Sequence, residues 1–188
     1  MSKGTVYEVI MTTWLDGKPY AAPIGIRVVD SNGALVAKIF RGGRLWQACS
    51  RSKFFALNVC LDPKIFVESI FHKDSIDYGT SDLLRVPIVN GCEGYLECVK
   101  LGSVYLGDYQ LLYLQVVNER VFGLRPYSRG LGLSIELLID LTRVRVGIKS
   151  CRDLEVVAKF VLGRLERVAP PSLIDSLREM VKVMCGSN

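Results

Sequence analysis

Residues 38–49 read Lys-Ile-Phe-Arg-Gly-Gly-Arg-Leu-Trp-Gln-Ala-Cys, so a run of strand character ends against Arg41-Gly42-Gly43-Arg44. Two glycines let the backbone take positive φ, and two guanidinium forks offer charge-assisted hydrogen bonds to an oxyanion. A helix starting at this point would add its first N–H groups and its dipole to the same field. That is the chemistry of a phosphate site. A well-solvated turn has the same composition, so the residues alone leave both readings open.

Few other constellations carry chemistry. His72 is the only histidine, no Walker-type phosphate loop is present, and there is no Ser–His pairing, which removes several hydrolase and nucleotidase readings. Cysteines stand at 49, 60, 92, 98, 151 and 185, with no CxxC and no zinc-ligand spacing, so no metal is expected. They read as small buried hydrophobes in a reducing compartment, with Cys92 and Cys98 on one face of a continuous strand. His72, Tyr78 and Tyr127 are candidates to line a substrate pocket, and none of them is compelled to act as acid or base.

Composition narrows the class. The chain has 188 residues, 49% of them hydrophobic, with a net charge of +5, which suits one globular core or a core with an appendage. No apolar run is long enough to span a bilayer, and the N-terminus lacks the apolar stretch of a signal peptide, so a cytoplasmic protein is expected. The positive charge is spread over both halves rather than concentrated, against a dedicated nucleic-acid binder.

The elements that must position the corner follow from punctuation. Residues 5–14 and 18–29 read as strands around Asp16-Gly17, and Asn32-Gly33 turns into a third strand at 34–40. Pro23 has no N–H to donate, so the second strand is expected to be an edge or interrupted there. A short helix at 43–51 and a strand at 53–60 come next, then a stretch at 62–87 with a short helix and a long loop. Strands at 94–106 and 108–122 follow, meeting at Gly107-Asp108. This order predicts an antiparallel barrel rather than a βαβ sheet. Beyond residue 127 the apolar period becomes helical. A first helix spans 132–144, Ser150 with Asp153 caps a second, and Ser172 with Asp175 is expected to cap a third.

The order of these features resembles an archaeal family of unknown function within the FMN-binding split-barrel superfamily. The resemblance rests on Glu8, Thr12-Thr13, Asp16-Gly17, Ala22-Pro23-Ile24-Gly25, Phe40-Arg41-Gly42, Asn58 with Asp62, and the later step RPYSRGLGLSIELLIDLTRV. It implies a mainly β fold: a six-stranded antiparallel split barrel over 1–125, with a helical extension over 126–188 packed on it. It also implies a homodimer with one FMN per subunit. Carried over by position, Thr12 and Thr13 contact the flavin, Ala22, Pro23, Ile24 and Gly25 line its edge, and Asn58 belongs to the site. Lys38, Arg41, Gly42, Gly43 and Arg44 surround the phosphate. The chain departs from the family at Gly43, Leu45 and Ala48, where relatives carry polar side chains. The implied activity is a flavin-dependent oxidoreductase with a nicotinamide cofactor or a small molecule as partner. The alternative is a non-catalytic binder of FMN or another phosphorylated metabolite.

Overall fold

The structure, a computed structural model, describes residues 6–123 and 129–186. Strands β1 (Val6–Leu15), β2 (Lys18–Val28) and β3 (Ala34–Phe40) lead to helix α1 (Arg44–Arg51) and strand β4 (Phe54–Val59). Helix α2 (Pro63–Phe71) and a 3-10 turn (Lys73–Ser75) precede the short strands β5 (Tyr78–Thr80) and β6 (Pro87–Val89). The long strands β7 (Gly94–Leu106) and β8 (Tyr109–Val121) follow, then helices α3 (Arg129–Arg145), α4 (Cys151–Leu165) and α5 (Pro171–Cys185).

Six strands close into an antiparallel barrel in the order β1-β2-β3-β8-β7-β4, the architecture expected from the sequence. Asp16 and Gly17 both take positive φ, 53° and 74°, the geometry a two-residue hairpin needs to match strand twist. The β2–β3 pairing runs only from Ile26↔Ala37 to Val28↔Leu35, so Pro23 faces a stretch where β2 has no β3 partner. Inside the barrel Met11, Ile26, Ile39, Phe55, Leu57, Leu112 and Leu114 form one buried cluster.

The stretch 62–87 is more ordered than a loop. Strands β5 and β6 form their own two-stranded sheet. Three outward-facing groups bond to the main chain of this excursion: Trp14 Nε1 donates to the Arg85 carbonyl, Thr12 Oγ1 to that of Pro87, and the Val89 N–H donates to Asn58 Oδ1. From β7, the Glu97 carboxylate accepts from the N–H groups of Leu83 and Leu84. The hairpin thus covers the outer face of β1, β4 and β7.

The cysteines depart from expectation. Cys60 and Cys92 are disulfide-bonded, as are Cys151 and Cys185, while Cys49 and Cys98 are free and buried. Cys92 lies before β7 begins, so it does not share a strand with Cys98. It meets Cys60 because β4 and β7 are antiparallel neighbours whose Val59↔Gly94 pair brings those two ends together.

The chain divides into two compact units. One holds the barrel strands. The other joins Leu61–Val67 with the C-terminal helices. Among those helices Leu137, Leu141, Leu154, Leu165 and Leu177 are fully buried. Ser150 caps α4, its hydroxyl accepting from the Asp153 N–H at 3.2 Å. Ser172 does not cap α5: Pro170 is the N-cap and Pro171 begins the helix, because a proline at the first helical position already has the right φ and needs no donor. None of the described helices is long and apolar enough to cross a membrane.

Candidate functional site

The corner after β3 is exposed and strongly basic. Gly42 takes φ +89°, and Gly43 is the N-cap of α1 with no side-chain cap bond to the first turn. The α1 amides at this end are therefore not claimed by a capping side chain. A Cβ at Gly42 or Gly43 would meet nothing within 4 Å, so the approach to those amides is open. Lys38, Arg41 and Arg44 surround the turn, all exposed, and among the described residues none of the three is paired with a carboxylate.

The neighbours fix the geometry. The Arg41 N–H donates to the Asp108 carbonyl at 2.8 Å, joining the corner to the β7–β8 turn. The Lys38 ammonium lies 4.0 Å from the Tyr109 ring centroid and 4.9 Å from that of Phe40. Trp46, half-buried on α1, sets its ring 5.5 Å from that of Tyr105. Next to this turn Gln110 is fully buried, and among the described residues neither atom of its amide has a hydrogen-bond partner.

Two residues that the sequence did not single out belong here. The Arg44 guanidinium stands 5.6 Å from the Tyr20 ring, and the Lys73 ammonium 4.4 Å from the same ring. Lys73 also donates to the Ala21 carbonyl, so the excursion after α2 delivers a second cationic side chain, beside Arg44, to the start of β2. Tyr20 stands opposite Thr13 in the β1–β2 register, a relation readable once the hairpin turn is known. No local pattern announces Lys73.

The remaining candidates fall into one patch of β4, β1 and β2, through the pairs Ile10↔Asn58, Thr12↔Ala56, Met11↔Ala22, Ile10↔Pro23, Val9↔Ile24 and Glu8↔Gly25. Pro23 and Gly25 are half-buried, while Ala22 and Ile24 are buried. Thr12, Thr13 and Asn58 are enclosed and their polar atoms are engaged. Thr13 Oγ1 donates to the Phe54 carbonyl at 2.8 Å. Asn58 Nδ2 donates to the Ile10 carbonyl and to Thr12 Oγ1, at 2.8 and 3.0 Å. These side chains hold strands and the β5–β6 hairpin together. Leu45 and Ala48 turn into an apolar cluster with Leu15, Tyr20 and Ala22, so α1 offers an incoming phosphate no side chain from those positions.

His72 is exposed, and Tyr127 lies outside the described residues. Burial, with Asp74 nearby, pushes the Tyr78 phenol up to about 12, so it stays protonated at neutral pH. The donor set at the corner suits a phosphate monoester: cationic side chains, helix N–H groups and an unobstructed glycine turn.

The comparisons with known proteins agree in fold. An FMN-bound DUF447 protein from Methanosarcina mazei superposes with a TM-score of 0.79 at 18% identity, over 97% of this chain and 96% of that one. Nitrilotriacetate monooxygenase component B from Mycobacterium thermoresistibile gives a TM-score of 0.56 at 20% identity, over 65% and 73% of the two chains. An FMN-binding protein from Thermus thermophilus gives 0.55 at 12% identity, over 61% and 69%. Residues 7–103 match the family model described as protein of unknown function (DUF447), N-terminal domain, and the match covers most of the barrel strands and the basic corner. The chain is a member of the DUF447 family, on a split-barrel fold.

Proposed function

We propose that this protein binds FMN, with the phosphate at the turn of Arg41, Gly42, Gly43 and Arg44 and with Lys38 beside it. The observation that carries the reading is the unpaired basic corner at the N-terminus of α1, on the fold of an FMN-bound member of the same family. Pro23 and Gly25, half-buried on β2, are the residues of the β1–β2 patch best placed to meet a ring edge, with Ala22 and Ile24 beneath them. Bound flavin would supply hydride or single-electron transfer, and the protein's part is to hold and orient it. An oxidoreductase that takes electrons from a reduced nicotinamide fits the neighbouring flavin reductase folds, one of them solved with NADP+. We place this chemistry in the barrel part, 1–125, and assign no redox role to the helical extension, 126–188.

The reading extends to a homodimer. Leu101, Val104, Tyr105 and Leu106 on β7 and Val121 on β8 are large, apolar and exposed, more than a solitary barrel needs to leave in water. A cytoplasmic location belongs to the same proposal, in a cell whose cytoplasm lets disulfides persist.

A second reading, storage or transport of a flavin without catalysis, is favoured by one observation. The side chains described around the corner, Lys38, Arg41, Arg44, Phe40, Tyr20 and Tyr109, are cations and aromatic rings. The deciding experiment is an absorbance spectrum from 300 to 550 nm after adding FMN and desalting, followed by anaerobic NADH or NADPH. Retained flavin that bleaches supports the oxidoreductase, and retained flavin that does not bleach supports the carrier. A protein that retains none, with no rise in Tm at millimolar FMN, would end both.

A further inference from the structure

The helical unit contains a cleft of about 880 Å³ on the α3–α4 side, lined by Gly132 and Leu133 from α3 and by Phe160, Gly163, Arg164 and Arg167 at the end of α4. Arg164 is held in place there, its guanidinium 4.0 Å from the Phe160 ring centroid. Neither Arg164 nor Arg167 forms an ion pair among the described residues. Glu166 and Asp175 pair with Arg178, and Asp140 with Arg143 and Lys149. Glu136, one turn along α3 from Gly132 and Leu133, is an exposed carboxylate with no ion pair among the described residues. Two cations at a helix C-terminus also complement its dipole, which is a purely structural use for them. That dipole amounts to about half a negative charge, so two full positive charges leave the cleft electropositive.

Gly163 adds an independent sign. Glycine is a poor helix former, yet here it occupies the last full turn of α4. A Cβ on it would meet nothing within 4 Å, so packing against the rest of the chain does not require glycine. Its exposed backbone forms part of the cleft lining. Phe160, exposed by 57%, presents an aromatic face on the same wall.

We infer that this cleft is a binding site for an organic phosphate carrying a planar ring, a nucleotide-class ligand. Arg164 and Arg167 take the phosphate groups, and the ring lies over the Gly163 backbone between Phe160 and Leu133. The inference does not depend on the basic corner of the barrel. Calorimetric titration of ADP into the full chain with no flavin added, beside inorganic pyrophosphate as a ring-free probe, tests it. We expect Arg164→Gln with Arg167→Gln to weaken ADP by more than tenfold. Gly163→Leu, which keeps both cations and favours the helix, should do the same by filling the cleft. Arg41→Ala with Arg44→Ala, measured in the same way, should leave ADP binding unchanged. Absence of ADP binding at millimolar concentration overturns the site, and so does binding that survives the cleft variants but is lost in the corner variant. Pyrophosphate binding as tightly as ADP overturns the ring pocket.

Discussion

The main-chain N–H of Arg41 donates to the carbonyl of Asp108, so the basic corner is held to the tip of the β7–β8 hairpin by a bond that no side chain enters. Removing the guanidinium groups should therefore leave the turn in place. We expect Arg41→Ala with Arg44→Ala to weaken FMN by more than tenfold, while Tm of the FMN-free protein stays within a few degrees of the parent. Each lost charge-assisted bond contributes about 1.5–3 kcal/mol. Equal FMN affinities in the two proteins would remove the corner from the flavin site.

Asn58 separates the structural role from the ligand role. Its amide satisfies the Ile10 carbonyl, Thr12 Oγ1 and the Val89 N–H, all in a site with no exposure. Asn58→Ala removes the partner of the Val89 N–H and takes one hydrogen bond each from the Ile10 carbonyl and from Thr12 Oγ1, and a buried group left unbonded costs about 1–3 kcal/mol. The expected result is a loss of at least ~3 kcal/mol in chemical denaturation. Unchanged stability with weakened flavin binding would return Asn58 to the ligand.

Acid should loosen the β5–β6 hairpin through Glu97. Burial pushes this carboxyl up, but hydrogen bonds from Asn118, Ser81 and the N–H groups of Leu84 and Leu83 outweigh it and hold the folded value below the ordinary one. A depressed folded value stabilises the protein fully above the unfolded value, near 4.5. That contribution is lost as pH falls through the folded value. Glu97→Gln cannot titrate, so its stability deficit against the parent should be constant near neutral pH and shrink in acid below about pH 4. A deficit that does not change with pH would mean that the carboxylate charge contributes nothing.

Thiol chemistry should follow burial. Cys49 and Cys98 are both pushed up to about 12, chiefly by desolvation, with Lys100 working the other way at Cys49 and Glu97 adding to the rise at Cys98. Neither presents thiolate at pH 8. The native protein should consume no Ellman reagent, and the unfolded protein, kept unreduced, should titrate the two thiols of Cys49 and Cys98. Six thiols after unfolding would return the chain to the fully reduced state its sequence suggested.

Gln110 offers a gain in stability. Its amide is buried, with both polar atoms unbonded among the described residues, and Gln110→Met removes both while keeping the shape. Relief of the desolvation cost should raise stability by about 1–2 kcal/mol, visible as a higher Tm. A fall would show that the amide is hydrogen-bonded in solution.

Much of the barrel was legible because its turns use residues with conformational demands, such as Asp16-Gly17, and because its strands are long. The corner was legible for the same reason, since Arg41-Gly42-Gly43-Arg44 combines backbone freedom with charge. The inward and outward faces of β1 were not legible. Val9 to Thr13 are all buried, because β6 covers the face the barrel turns outward, and the period of two disappears. Strands as short as Tyr78–Thr80 and Pro87–Val89 carry no period of their own. The disulfides join cysteines 32 and 34 residues apart, a relation that only the completed sheet and helix pairings create. Lys73 reaches Tyr20 for the same tertiary reason.

The path of the chain between the two units has a consequence for how the protein can be cut. The polypeptide leaves the barrel unit after Cys60, lends Leu61–Val67 to the helical unit, and returns at Glu68. Ile65, Phe66 and Val67 are buried in the whole chain. A fragment that stops after β8 would keep this apolar turn and lose the helices with which it is grouped. Cleavage within 61–91 would free nothing, because Cys60 and Cys92 close that stretch into a covalent ring. The two units are interlaced in sequence, so no single scission yields two complete folds.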